Sequence, residues 1–286
     1  MNASQHDPER ILIFEPHPDD VAFQIGGSVA KWVSQGREVF VCTVTNGSSS
    51  TFNPAVTREQ ITETLMAEHV RALSRLGVDA DHYIQWDYDD CCVDPGATHT
   101  DLRPRMMELI RRIRPVTVVT LDPTHNMMDE NPDHRATALC AFESAALAAT
   151  HTLYPGQLSQ DVQPHFVSRV LFYMSEFPTV FVNIEGAPLD AKLAAGLEYA
   201  SQLELLATDA RRRLAGLGAH LPLFDMPPGD IWRMMCRQIA EDMAAECVAW
   251  DPARDIQFAE GLRMQYLGIV DKIKDFLDIP ESLRLD

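Results

Sequence analysis

The chain of 286 residues is 46% hydrophobic and 23% charged, an ordinary balance for a soluble globular protein that excludes fibrous, collagen-like and wholly disordered architectures. Its length allows one large α/β domain or two small ones and buries a substantial core without disulfides. With 24 basic against 42 acidic residues the net charge is −18. That is the wrong sign for tracking a phosphate backbone or an anionic membrane surface, so neither nucleic acid nor membrane is expected as a partner.

Ile11–Phe14 reads as the first buried strand, and after a short loop Gly26–Gln35 reads as a helix closed by Gly36. Glu38–Thr45 is apolar along enough of its length to be a strand buried on both faces. Asn46-Gly47 ends it, and Gly47–Pro54 is a turn-rich loop. Thr57–Leu76 is a long helix closed by Gly77, Asp81–Trp86 is the next strand, and Thr100 or Asp101 caps a helix that Pro115 stops after Arg114. Val116–Leu121 is a nearly pure β-branched run. This βαβαβαβ alternation predicts an α/β fold with a Rossmann-like, doubly wound, mostly parallel sheet flanked by helices, its ligand crevice at the carboxyl ends of the strands.

Farther on, Asp133–Thr150 reads as a helix, Val167–Met174 and Thr179–Ile184 as strands, and Pro188–Leu214 as one long helix. Leu221–Gly229 is a proline-rich loop, and Asp230–Ala249 returns to helix. No repeat or low-complexity linker divides the chain, so a single domain over 1–286 is expected, with a core over about 10–205 and a helical C-terminal elaboration over about 206–286. The six cysteines form no CxxC pair and read as reduced, mostly buried thiols. MNASQHDPER at the N-terminus is polar, and no apolar run approaches the roughly 20 residues of a membrane span, so the cytoplasm is the expected location.

The strongest chemical signal is Pro16-His17-Pro18-Asp19-Asp20, directly after the first buried strand, where an open α/β sheet presents its active-site loop. A histidine and two carboxylates offer two metal ligands and one spare acid, and the prolines stiffen the turn that aims them. A turn that merely caps the next helix would use one aspartate and leave His17 unexplained. A third ligand should come from another strand end on the same edge. The segment from Asp122 to Arg135 supplies His125 and His134, the latter one step into a helix whose N-cap is Asn131 or Asp133. Two histidines and one aspartate with open positions describe a catalytic zinc site, and the same ligand types also suit ferrous iron.

PHPDD after the first strand and NPDHRAT after the fourth resemble the PIG-L/LmbE-like family of zinc-dependent N-acetylglucosaminyl de-N-acetylases, with its (A/P)HPDD(E) and HPDHRA(T) signatures. Thr45-Asn46-Gly47, Leu76-Gly77 and the run Pro178–Ile184 leading to Ala200-Ser201-Gln202 extend the likeness over about 10–205. The resemblance implies that His17, Asp20 and His134 are zinc ligands and that Asp19 is the general base. It implies hydrolysis of an amide by metal-activated water, with an N-acetyl sugar or sugar-bearing metabolite as the small-molecule substrate.

The sequence also departs from that family. Asn131 stands where the first histidine of HPDH is usual, Val21 where Glu often follows the paired aspartates, Asn183 where Asp is frequent, and Tyr199 where His precedes Ala-Ser-Gln. In the family the first histidine serves the intermediate or the leaving amine, whereas Asn131 donates a hydrogen bond but no proton near pH 7. Three outcomes stay open: His125 replaces it, Asp19 performs both proton transfers, or the reaction is not amide hydrolysis. The last would fit a zinc-dependent hydratase of a small dicarboxylate, a reaction also found in this superfamily. A catalytically silent ligand-binding member is a further reading, against which the retained His17, Asp19, Asp20 and His134 argue. Asp87, Asp89 and Ser48, at other strand ends, are candidates for contacts with sugar hydroxyls. The C-terminal excess is expected to serve substrate choice or contacts between copies of the chain.

Overall fold

The computed structural model describes residues 9–93, 101–124, 129–278 and 284. Its strands are β1 (Arg10–Glu15), β2 (Glu38–Thr45), β3 (Tyr83–Tyr88), β4 (Thr117–Leu121), β5 (Arg169–Tyr173), β6 (Val180–Asn183) and β7 (Ala259–Tyr266), joined in one sheet of order β3-β2-β1-β4-β5-β7-β6. The first five run parallel, and β7 is antiparallel to both β5 and β6. β1 and β4 are neighbours although their connections leave in opposite directions along the sheet. They flank the topological switch point, where the loops after parallel strands splay and form a crevice.

The flanking helices are α1 (Asp20–Ser34), α2 (Arg58–Arg75), α3 (Leu102–Ile113), α4 (Pro132–Leu147), α5 (Ala187–Glu198), α6 (Ala200–Gly216) and α7 (Pro228–Trp250). Two apolar clusters sandwich the sheet. One joins Ile11, Ile13 and Val119 to α1, α2 and α5; the other joins Leu12, Phe14 and Val118 to α3 and α4. α2 opens on a full capping box at Thr57, with the Gln60 side chain returning the bond. Gly47 must be glycine, since its φ is +64° and a Cβ there would stand 2.4 Å from Leu65 Cδ2.

Three expectations change. α1 starts at Asp20, six residues before the expected Gly26, so the paired aspartates sit at its first turn. The long helix expected over Pro188–Leu214 breaks at Tyr199, whose φ of −87° and ψ of 59° end α5 before α6 begins. Asp101 is the N-cap of α3 but makes no side-chain cap bond, and Thr100 lies outside the described residues.

The C-terminal elaboration contains helix α7, as expected, but also returns a strand, β7, that fills the sheet between β5 and β6. β7 also repairs α1. The helix leaves α-geometry at Ile25 (φ −129°), which frees backbone groups around it. Glu260 of β7 accepts from Gly27 N–H at 3.0 Å and Ser28 N–H at 2.6 Å, while Lys192 of α5 donates to Gln24 O at 3.0 Å and to Glu260 at 2.6 Å. Among the described residues no helix is long and apolar enough to cross a membrane.

Candidate metal centre

The loop after β1 and the start of α4 meet at the switch point. His17 Nδ1 lies 3.2 Å from Asp20 Oδ2 and 3.2 Å from His134 Nε2, and His134 Nε2 lies 3.7 Å from Asp20 Oδ1. In a tetrahedral zinc site with bonds of about 2.0–2.1 Å, ligand atoms stand about 3.3 Å apart. The two ring nitrogens and the Asp20 carboxylate therefore already have about the spacing of three corners around one cation.

The far nitrogen of each ring is held by a carboxylate. His17 Nε2 is 3.1 Å from Asp133 Oδ2 and 3.3 Å from Asp90 Oδ1, and His134 Nδ1 is 2.8 Å from Asp129 Oδ2. Donating those N–H groups outward fixes each tautomer so that the lone pairs of His17 Nδ1 and His134 Nε2 face inward, the usual support of metal-bound histidines. Asp133 is itself fully buried and accepts from Cys91 N–H at 2.7 Å and Val93 N–H at 2.9 Å.

His17 Nε2, Asp90 and Asp133 form a second group compact enough for a cation. Both Asp133 oxygens there already accept backbone N–H groups, and Asp90 is anchored through Oδ2 to Ser49 N–H at 2.8 Å while its Oδ1 faces His17. His17, Asp20 and His134 keep slight exposure, as a site that must admit a substrate requires.

The two adjacent aspartates are driven apart electrostatically. Burial pushes the Asp20 carboxyl up, but His134 and His17 outweigh it and hold Asp20 below its ordinary pKa, so it stays an anion. Burial, and then the charge of Asp20, push Asp19 well above the usual carboxylate range. Neighbouring acids with opposed shifts are the pattern of one ligand and one proton carrier. Burial likewise opposes ionisation of Asp90, yet the His17 bond holds it at about 2.

Burial disfavours a charge on His17, but its bonds to Asp133, Asp20 and Asp90 prevail and raise its pKa well above 6.5. A cation bound at Nδ1 has to displace that proton. Zinc affinity of the metal-free protein, measured by chelator competition, is therefore expected to rise with pH until His17 gives up that proton. A flat profile would count against His17 as a ligand.

The other expected residues divide. Asn131 is the N-cap of α4, its Oδ1 accepting from Asp133 N–H at 2.9 Å, and its Nδ2 lies 3.2 Å from His17 Nε2, so it belongs to the cluster. His125 lies outside the described residues. Asp87 accepts from Asn46 at 3.1 Å, while Arg58 donates to Ser48 Oγ at 2.7 Å and Asp89 at 2.9 Å; among the acids of that loop it is Asp90 that reaches His17. Asn183 ends β6 and accepts from Glu185 N–H at 2.8 Å.

Tyr199 joins a buried network with His69 and Glu15 behind the metal loop. The support that Asp90, Asp129 and Asp133 give the two histidines, and the Glu15–His69 pair behind them, were not expected, and only the acidic run DYDD and the Asp of NPDH carried a hint. Beside the loop anchored by Asp90 runs a cleft of about 580 Å³, lined by Ser50, Thr51, Asn53, Thr64, Ser201 and Arg212 among others.

Residues 12–145 match the family pattern described as PIG-L, GlcNAc-PI de-N-acetylase. The diacetylchitobiose deacetylase of Thermococcus kodakarensis is 28% identical over 203 residues, covering 71% of this chain and 73% of that protein. Further matching relatives are 1D-myo-inositol 2-acetamido-2-deoxy-alpha-D-glucopyranoside deacetylases, several of which the match spans over about half their length. In fold the chain is similar to the N,N'-diacetylchitobiose deacetylase of Pyrococcus horikoshii, with a TM-score of 0.72 and 22% identity over 91% of this chain and 84% of that one. It is also similar to the 4-carboxy-2-hydroxymuconate hydratase of Pseudomonas putida, with a TM-score of 0.63 and 19% identity over 96% and 100%. Residues 12–145, which carry the PHPDD loop and the DHRAT helix start, are the part of the chain that matches the PIG-L family.

Proposed function

We propose that the chain is a metal-dependent hydrolase that removes an acyl group, acetyl first of all, from an N-acylated amino sugar or a metabolite carrying one. The observation that carries this reading is the pairing of a preformed three-ligand cluster with an adjacent free carboxylate of raised proton affinity, Asp19. His17, Asp20 and His134 would hold the cation, zinc in the first instance with ferrous iron as the other fitting choice. When bound, the cation supplies Lewis-acid polarisation of the amide carbonyl and makes a water acidic enough to attack near neutral pH.

The remaining work falls to the chain. Asp19 takes the proton of the attacking water. The Asn131 amide, beside His17, donates a hydrogen bond to the carbonyl oxygen as negative charge develops on it. Because Asn131 has no proton to give, Asp19 returns its proton to the leaving amine. His125→Ala is then expected to change kcat by less than about fivefold, whereas a loss of about 10²-fold or more assigns the acid role to His125. The cleft beside Ser50 and Thr51, which Ser48 and Arg58 adjoin, would give room for the sugar, with Asp87 and Asp89 as further candidates for its hydroxyls. The chain is taken to work as one unit over 1–286, a reading supported by β7 closing the sheet.

A hydratase shares this fold, so fold alone does not choose the reaction. The matched deacetylases and the free Asp19 favour hydrolysis. The test is acetate release from N-acetylglucosamine, diacetylchitobiose and an N-acetylglucosaminyl inositol by protein with measured metal content. Metal-dependent release supports the reading. Full metal occupancy without release from any of the three, together with hydration of an unsaturated dicarboxylate, overturns it.

A further inference from the structure

α1 begins at Asp20 and its N-cap residue is Asp19, yet the Asp19 carboxylate accepts no backbone N–H. An aspartate at that position ordinarily spends its side chain on the N–H of the second or third helical residue. Here the N–H of Val21, the second helical residue, donates to Glu15 Oε2 at 2.9 Å. Glu15 ends β1, on the near side of the metal loop, and its carboxylate reaches across that loop to the helix on the far side.

The carboxylate is held rigidly. Its Oε1 accepts from Thr43 Oγ1 at 2.5 Å and lies 2.9 Å from His69 Nε2, while His69 Nδ1 lies 2.7 Å from the Tyr199 hydroxyl. All four residues are fully buried. β2, α2 and the junction of α5 with α6 thus converge on one group, and the backbone it fixes is the first turn of α1. The loop is braced from β2 as well, since Thr45 donates to Pro16 O through its N–H at 2.9 Å and its hydroxyl at 2.8 Å. Val21 brings no carboxylate of its own to this turn, so the acceptor has to come from elsewhere.

We propose that Glu15 is a positioning residue that takes over the capping of α1 and so leaves the Asp19 carboxylate free to work on water at the metal, an inference that rests on the hydrolase reading above. Without that acceptor Asp19 is the group nearest to hand for Val21 N–H, and it turns into its ordinary capping role, away from the substrate.

Three variants at one position test this. Glu15→Gln keeps an oxygen for Val21 N–H, Glu15→Asp keeps the charge but falls one methylene short, and Glu15→Ala keeps neither. In acetyl release, kcat is expected to fall about 10²-fold in Glu15→Asp and Glu15→Ala and to recover to within about fivefold of wild type in Glu15→Gln. KM, and zinc affinity in competition with a chelating dye, should stay within about threefold, because His17, Asp20 and His134 are untouched. If Glu15→Ala does not fold, the other two variants decide.

A crystal structure of metal-loaded Glu15→Asp provides a readout that needs no turnover, with an Asp19 oxygen expected at hydrogen-bond distance from Val21 N. The proposal is overturned by Asp19 unmoved in that structure, by Glu15→Gln as damaged as Glu15→Asp, by zinc affinity lost together with kcat, or by full kcat in all variants. A wild type that releases no acetate defeats the hydrolase reading instead, and the position of Asp19 in Glu15→Asp still decides the capping role.

Discussion

Asp19→Asn is expected to lower kcat for acyl release by about 10³ to 10⁴-fold while leaving metal content at wild-type level. The two aspartates are adjacent in sequence, but only Asp20 touches the histidines, through His17 Nδ1 at 3.2 Å and His134 Nε2 at 3.7 Å. Asp19 carries no capping bond, and burial together with the charge of Asp20 raises its affinity for a proton. An asparagine of the same shape keeps the packing and removes the proton acceptor. Asp20→Asn should behave differently, losing metal affinity first and activity as a consequence. A rate within about tenfold of wild type in Asp19→Asn would place the base elsewhere.

The largest stability effect is expected at Glu260→Ala, a loss of about 3–5 kcal/mol. Glu260 and Lys192 are both buried, at 5% and 4% exposure, so removing the carboxylate leaves an ammonium group without its counter-charge. It also strips the acceptors from Gly27 and Ser28 N–H at the break in α1, and an unmet buried N–H carries its own penalty. At about 2–4 °C per kcal/mol for a domain of this size, the fall in Tm should be about 10 °C. Lys192→Met combined with Glu260→Gln removes both charges and keeps one acceptor, so a smaller loss is expected of the pair than of Glu260→Ala alone. Equal stability of Glu260→Ala and wild type in thermal unfolding would mean that the break in α1 needs no support from β7.

Much of the α/β half was legible in the sequence for a physical reason. Parallel strands buried on both faces, such as β1, β2 and β4, are written as short continuous apolar runs, and each is followed by a loop whose composition announces its purpose. His17, Asp20 and His134 could be named because two of them sit in one stiff turn and the third opens a helix.

The residues that orient them could not. Asp133 meets His17 across 116 positions and Asp90 arrives from another strand end, so only the closed sheet brings these carboxylates behind the rings. β7 was invisible for a related reason. AEGLRMQY mixes Glu260 and Arg263 into a strand, and their partners Lys192 and Asp122 come from elements distant in the chain. The break at Tyr199 lies inside a segment of good helix formers. There the Tyr199 ring packs on Phe23 at 5.2 Å between centroids and its hydroxyl meets His69, so tertiary contact overrides local preference.

The central claim is that His17 Nδ1, Asp20 and His134 Nε2 share one cation, and that Asp90 and Asp133 orient the ring of His17 rather than bind the metal. Anomalous diffraction at the zinc edge from crystals grown with zinc tests it most directly. The account predicts one peak at about 2.0–2.2 Å from His17 Nδ1, His134 Nε2 and a carboxylate oxygen of Asp20, with the remaining corner open. A peak held by His17 Nε2, Asp90 and Asp133, or no peak at all, would contradict it.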